Sequence, residues 1–384
     1  MKKLVTISEY EKIFAADCEF FDELVKYLGA SEFLSLGWQK NGGKFIQAKN
    51  YVGTIRLPSG FQIEILPKIY KHEGDEENLR GLVMKMIHAL MKGGKKFPDA
   101  ELKTSRLNLF EIFIKTYLEM VLELVKRGLK STYTVREENL NFFKGKLLAN
   151  RNLRRNFAHM EKFFVSFDEY NINRAEHRLI KAALIKLRQM TQENKRLASK
   201  LLAEFDSVEP SSNFQKDSAQ IFIDKQNREY QSVMEWTKIF LAGENFTPFA
   251  GKARAMTLLF DMNKLFEVYV ALHIKKYFSE RFKVKIQARE KFLFDTPRSF
   301  KLQPDIILEN SAEKFILDTK WKLEITAGDM YQMLAYAKRY DTKKNFLICP
   351  PQVAGNVFYR SEDFEVQIFC VNLFDMENLR GLAI

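Results

Sequence analysis

The sequence predicts an α+β chain in three parts: a small β-rich region over residues 1–75, a mainly helical stretch over 76–250, and a C-terminal mixed sheet flanked by helices over 251–384. Three observations predict it. Along 61–66 apolar residues alternate with Gln62 and Glu64, the period of a half-buried strand. From Glu76 the period lengthens to that of a helix, with Leu79, Leu82, Val83, Met86, Ala89 and Leu90 tracing one apolar face. Beyond 251, short runs rich in Ile, Leu and Phe alternate with helical segments, as in a sheet covered by helices.

Taken in order, 45–48 and 51–57 read as strands, Pro58, Ser59 and Gly60 turn the chain, and Pro67 closes the next strand because proline cannot donate to a ladder. No residue here carries chemistry, so the region reads as a docking module or as scaffold. The helix beginning at Glu76 stops at Gly93 and Gly94, and a second runs from about Asn108 to Arg127 with Gly128 as its C-terminal cap. Its inward residues, Leu109, Phe113, Tyr117, Met120 and Leu124, are core material. Arg151, Arg154 and Arg155, with Lys144 and Lys146, form the densest basic stretch of this half; it reads equally as a phosphate- or partner-contacting patch and as a solvated face. A long helix begins at Asn173 and extends toward Leu202, 208–213 is a polar break, another helix occupies about 228–241 up to Gly243, and 246–251 is a linker.

The C-terminal part holds the chemistry. It reads as a helix over 258–270 carrying Glu267, a strand over 284–289, a hairpin of 303–308 and 315–322 across a polar turn, a helix over 328–340, and strands over 345–349 and 365–371. Side chains alternate along a strand, so Asp318 and Lys320 share one face, with Asp305 on the neighbouring strand. Two carboxylates and one ammonium in a small volume suit Mg2+, which takes hard oxygen ligands and keeps waters and substrate phosphates in the rest of its shell. A lysine beside such a cation can hold the attacking water and offset phosphate charge. Gln332 and Tyr336 stand one turn apart on one helix face, with Asp329 near that helix's start. Glu267 sits among Leu265, Phe266, Val268 and Val270, where a carboxylate is costly to bury without a partner or a cation; a solvent-facing Glu267 is the other reading.

Composition fits these elements and narrows the partners. At 384 residues and 46% hydrophobic content the chain can bury real cores. A formal charge of +12 favours a polyanionic partner, since Lys and Arg that displace phosphate counterions supply sequence-independent affinity. Cys18, Cys349 and Cys370 are scattered, which offers neither a disulfide framework nor a zinc or iron–sulfur ligand set. His72, His88, His159, His177 and His273 show no metal-ligand spacing. There is no phosphate-binding Gly-x-x-x-x-Gly-Lys-Ser/Thr loop. With no secretory leader and no apolar run of membrane length, the expected location is the cytoplasm.

Pro304-Asp305 followed thirteen positions on by Asp318-Thr319-Lys320 resembles the PD-(D/E)xK nuclease signature, and Gln332-x-x-x-Tyr336 resembles the third motif of its RecB-like branch. That resemblance implies a restriction-endonuclease-like fold for 251–384 and metal-dependent DNA cleavage using Mg2+ or Mn2+. It also implies Asp305 and Asp318 as ligands with Glu267 and the Thr319 carbonyl, Lys320 on the water, and Gln332 and Tyr336 as orienting residues. Asp318 stands where many such nucleases have Glu, which keeps the charge and shifts the metal slightly.

The whole chain is similar to the McrC family, the nuclease subunit of McrBC-type modification-dependent restriction systems. The similarity is carried by Ile7-Ser8-Glu9-Tyr10, the run 63–69, Gly145-Lys146-Leu147, Asn173 with 180–184, 265–269 and the nuclease motifs. It implies a hexameric AAA+ GTPase partner of the McrB type that reads methylated DNA, and an N-terminal region that docks on that motor and stimulates GTP hydrolysis, with 54–68 as the partner-facing run. A homodimer through the nuclease domain would explain double-strand cutting. Two other readings fit the same residues: a stand-alone RecB-like nuclease, and a noncatalytic regulator of an AAA+ partner.

Overall fold

The computed structural model describes residues 4–28, 32–69, 75–92, 107–225, 227–242, 255–351, 355–382 and 384. The chain forms two compact units, one of Met1–Phe110 with Ala250–Ile384 and one of Glu111–Phe249.

In the first unit the N-terminal region does not stand apart from the C-terminal one. A four-stranded sheet runs in the order Leu4–Ser8, Gln62–Leu66, Tyr51–Arg56, Met256–Asp261, so its last strand arrives from 200 residues downstream. Gly53 is required at that junction: its φ is +134°, and a Cβ there would meet the Leu258 carbonyl oxygen at 1.9 Å. The helix expected over 258–270 therefore begins later than its apolar content suggests. Asp261 ends the strand and caps the helix Met262–Phe278, accepting from the Asn263 amide at 2.9 Å and from Asn50 Nδ2 at 3.0 Å. A second small sheet, Lys12–Phe14, Lys44–Ala48, Leu34–Trp38, shares an apolar core with the first through Ile13, Leu24, Ile46, Ile55 and Ile63.

The run 54–68, expected to face a partner, is largely buried. Thr54, Ile55, Ile63, Glu64 and Ile65 are all within the core, and exposure is confined to the turn at Pro58 and Ser59. The strands lie mid-sheet, and their polar members are consumed internally. Glu64 accepts from Arg80 at 2.9 and 2.7 Å, from the Leu109 amide at 2.6 Å and from Thr6 at 3.0 Å.

The remainder of this unit is a six-stranded mixed sheet in the order Lys283–Ile286, Ile306–Glu309, Lys314–Thr319, Lys344–Cys349, Glu365–Cys370, Val357–Arg360. The first three strands are antiparallel neighbours, and the central pairings of Lys314–Thr319 with Lys344–Cys349 and of the latter with Glu365–Cys370 are parallel. A parallel pair needs a crossover, here the helix Ala327–Tyr340, opened by a reciprocal Thr326–Asp329 capping box. Its apolar side, with Met333 and Tyr336, packs with Ile316, Leu347 and Ile368 of the sheet. The strand expected over 284–289 ends at Ile286, where Gln287 turns the chain at φ +51°, and a separate hairpin that no period announces, Phe292–Asp295 with Arg298–Lys301, follows.

The second unit departs from the expected mainly helical stretch. It contains the helices Leu109–Lys126 (beyond its first two residues), Ala149–Asn156, Ala175–Met190, Lys195–Glu204, Phe214–Ala219 and Tyr230–Ala242, but also a sheet of Thr132–Leu140, Phe163–Asn171 and Lys146–Leu147. The single helix expected from Asn173 toward Leu202 is broken between Met190 and Lys195. There the buried Glu111 draws in Thr191 at 2.5 Å, the Gln192 amide at 2.9 Å and Asn194 at 2.8 Å, a network that outweighs continuing the helix. Gly128 adopts φ +90° just past its helix, as a C-terminal cap should. The stops at Gly93, Gly94 and Gly243 and the linker over 246–251 lie outside the described residues. Among the described residues no helix is long and apolar enough to cross a membrane.

Candidate active site

The strand Lys314–Thr319 ends where the sheet meets the helix Ala327–Tyr340, and its terminal residues carry the candidate chemistry. Asp318 is 1% exposed, with the Lys320 ammonium 2.6 Å from its Oδ2. Lys320 Nζ also donates to Gln332 Oε1 at 2.9 Å, Gln332 Nε2 donates to the Tyr336 hydroxyl at 2.7 Å, and that hydroxyl donates to the Gln303 carbonyl at 3.0 Å. An unbroken chain thus runs from Asp318 through lysine, amide and phenol to the backbone two residues before Asp305. The helical spacing of Gln332 and Tyr336 makes the amide–phenol contact, and the parallel register fixes the lysine, whose own amide donates to the Ile348 carbonyl at 2.9 Å. Burial pushes the Tyr336 phenol up, so it remains a protonated donor.

Asp305 accepts with a single oxygen, Oδ2, from both the Thr319 amide at 2.7 Å and the Thr319 hydroxyl at 2.6 Å. Thr319 therefore anchors this carboxylate with its N–H and side chain. Glu267 is half-buried and turned to Gln287, whose Nε2 donates to it at 2.6 Å. Gln287 carries φ +51° and its amide donates to the Asp305 carbonyl at 2.7 Å, so it bridges the glutamate's helix and the aspartate's strand. No pattern in the sequence marks Gln287, because its role rests on a backbone conformation.

Burial first, and the Asp305 charge second, raise the carboxyls of both Asp318 and Glu267 above the usual range. Concentrated negative charge of this kind is what a divalent cation relieves. Asp305 and Asp318 supply the one or two hard carboxylates that Mg2+ takes from protein, so the donor chemistry fits such an ion. The three expected carboxylate ligands are nevertheless not drawn together: among the described residues no group of three or more His, Cys, Asp or Glu stands within metal-holding reach. Glu267 is engaged by Gln287 and feels the Asp305 charge.

One contact beyond the motif ties the site to the N-terminal strand. Trp321, next to Lys320 and 4% exposed, donates its indole N–H to Glu9 at 3.0 and 3.2 Å, and Glu9 also accepts from the Lys68 amide at 3.2 Å. Burial pushes the Glu9 carboxyl up to about 7, against the lowering effect of those donors and the Lys68 charge, with Asp261 adding to the rise. The folded chain holds this proton where the unfolded one has released it. That contribution is therefore full below about pH 4.5 and lost as pH rises through about 7, at most on the order of 3 kcal/mol. The thermal midpoint of the chain is expected to fall between pH 5 and 8 more steeply than that of Glu9→Gln; parallel profiles would mean Glu9 is not the titrating group.

The family model described as "McrBC 5-methylcytosine restriction system component" matches residues 46–350. Among curated proteins nothing matches. Two solved structures from Thermococcus gammatolerans share the fold. One, described as a half-complex from a tetradecameric assembly of McrB AAA+ hexamers with bound McrC, aligns at TM-score 0.73 and 18% identity, over 96% of this chain and 94% of that one. The other, a cryo-EM structure of the McrBC complex, aligns at TM-score 0.54 and 21% identity over 71% of this chain and 88% of that one.

Proposed function

The chain belongs to the McrBC family of 5-methylcytosine restriction system components, and from that premise we propose that it is the DNA-cleaving subunit of such a system, a divalent-metal-dependent phosphodiester hydrolase working with a hexameric AAA+ GTPase. The observation that carries the reading is the Asp318–Lys320–Gln332–Tyr336 chain, which holds one ammonium at the rim of a carboxylate pair. Asp305 and Asp318 would hold Mg2+ or Mn2+, with the Thr319 carbonyl and Glu267 as further oxygen donors; when bound, the cation supplies Lewis acidity at the phosphate and a more acidic water. Lys320 pairs with Asp318 and donates to Gln332, and its remaining donor capacity holds the attacking water or a non-bridging phosphate oxygen. Gln332 and Tyr336 set the direction of that remaining capacity.

Gln332→Leu is expected to slow single-turnover cleavage roughly 10–100-fold at saturating DNA, since small misplacements of a catalytic group have such costs. An unchanged rate would mean that Asp318 alone orients the lysine.

On this reading the small sheet of the second unit faces the motor. Around its small sheet Tyr133, Phe142, Phe143, Phe157 and Met160 are exposed rings and thioether, interleaved with Arg154 and Lys146. Large apolar side chains exposed beside cations suit a protein interface. The deciding experiment is cleavage of methylated and unmethylated plasmid with Mg2+, with and without the cognate AAA+ protein and GTP. Cutting restricted to methylated DNA with motor and GTP supports the restriction-subunit reading; cutting with Mg2+ alone replaces it with a stand-alone nuclease, and motor stimulation without cutting replaces it with a noncatalytic regulator.

A further inference from the structure

The hairpin Phe292–Asp295 with Arg298–Lys301 lies four residues before Asp305, at most about 13 Å of extended chain, or roughly four nucleotide steps along one DNA strand. Both of its ends are fixed to the site. The Leu302 amide donates to the Lys291 carbonyl at 2.9 Å, the next residue's carbonyl receives the Tyr336 hydroxyl, and Asp295 is paired with Arg339 of the same helix at 2.6 and 3.0 Å. Leu293 packs against the core of the mixed sheet.

The rest of the hairpin is offered outward. Phe294 is 53% exposed and Phe300 71% exposed, their rings in edge contact at 5.9 Å. Phe300 holds φ +56°, a conformation that costs a bulky residue energy and that clusters at functional positions. Both acidic residues of the segment are already met by cations outside the hairpin, Asp295 by Arg339 and Glu290 by Lys285 at 3.6 Å. The exposed Arg289, Arg298 and Lys301 leave it with a net positive outer surface, and Arg298 and Lys301 are ordered over the Phe292 ring at 4.3 and 5.9 Å.

We propose that this hairpin is a DNA-engaging element of the active site: Arg298 and Lys301 take phosphates beside the scissile one, and Phe294 and Phe300 press against sugars of the same duplex and wedge at a base step in its minor groove. The pairing of exposed rings with cations fits nucleic acid, where phosphates supply charge and bases supply flat apolar faces. Because Gln303 and Arg339 belong to the same framework as Lys320, a duplex seated on the hairpin is registered against the catalytic lysine. The inference rests on the DNA-cleaving reading and deepens it.

The test uses full-length protein and a fluorescent 30-base-pair methylated duplex, with binding measured by anisotropy in EDTA across a salt series and cleavage measured with Mg2+, motor and GTP. Arg298→Ala/Lys301→Ala is expected to weaken binding about tenfold and to reduce the log–log salt slope by roughly 1.8, two phosphate contacts at about 0.9 each. Phe294→Ala/Phe300→Ala should weaken binding by about tenfold with the slope unchanged. Both should raise the DNA concentration needed for half-maximal cleavage. Wild-type binding and slope in both variants would overturn the hairpin's role while leaving the cleavage reading intact. Loss of binding in the hairpin variants of a protein that binds but does not cut would keep the hairpin and remove the nuclease. A wild-type chain that binds no duplex removes both.

Discussion

Asp318→Asn is expected to reduce cleavage on the order of 10^3-fold, about 4 kcal/mol of lost transition-state stabilisation, while the protein melts at or near its usual temperature. The substitution removes the buried charge that anchors Lys320 at 2.6 Å, yet keeps the side chain's volume and an oxygen in its place. Lys320, partly exposed, retains Gln332 and water, so the fold loses little. Lys320→Ala should cost the same activity, but it also strands the Asp318 carboxylate in a buried position. Part of that cost is relieved because burial and Asp305 already favour the protonated acid, so the variant should be less destabilised at pH 6 than at pH 8. Plasmid cleavage by purified variants with motor, GTP and Mg2+, alongside their melting curves, checks both claims. Activity within tenfold of wild type in the two variants would remove this constellation as the active site.

Glu64→Ala should have the largest effect on folding, about 3 kcal/mol, or roughly 6–12 °C in the midpoint. Glu64 is fully buried and serves four donors: two from Arg80, the Leu109 amide and the Thr6 hydroxyl. Truncation leaves a largely buried guanidinium with only Glu76 and a buried amide with no acceptor. Glu64→Gln retains acceptor oxygen and should lose about half as much. The strand Gln62–Leu66, the helix Glu76–Lys92 and the first turn of the helix Leu109–Lys126 all meet at this carboxylate. A midpoint shift below 2 °C for Glu64→Ala would show that the network supplies geometry and little stability.

The candidate cluster was legible because its encoding is local. Two-residue alternation put Asp318 and Lys320 on one face, and helical spacing aligned Gln332 with Tyr336; both contacts appear as expected. The helices Glu76–Lys92, Leu109–Lys126 and Tyr230–Ala242 were likewise announced by period. By contrast, the sheet of the second unit carries no such period: Thr132–Leu140 has no buried residue and is held by pairing along its whole length with Phe163–Asn171.

By itself the sequence determined the strand that carries Asp318, the helix that carries Gln332 and Tyr336, and which of those side chains share a face, since a period of two or 3.6 is fixed by backbone geometry. Tertiary structure decided what no local period encodes. It placed Met256–Asp261 in the N-terminal sheet, buried the run 54–68 between neighbours, turned Glu267 to Gln287 and joined Trp321 to Glu9 across more than 300 residues. Each of these depends on the pairing of distant segments, whose register is set by packing and by the satisfaction of buried polar groups rather than by the order of neighbouring residues.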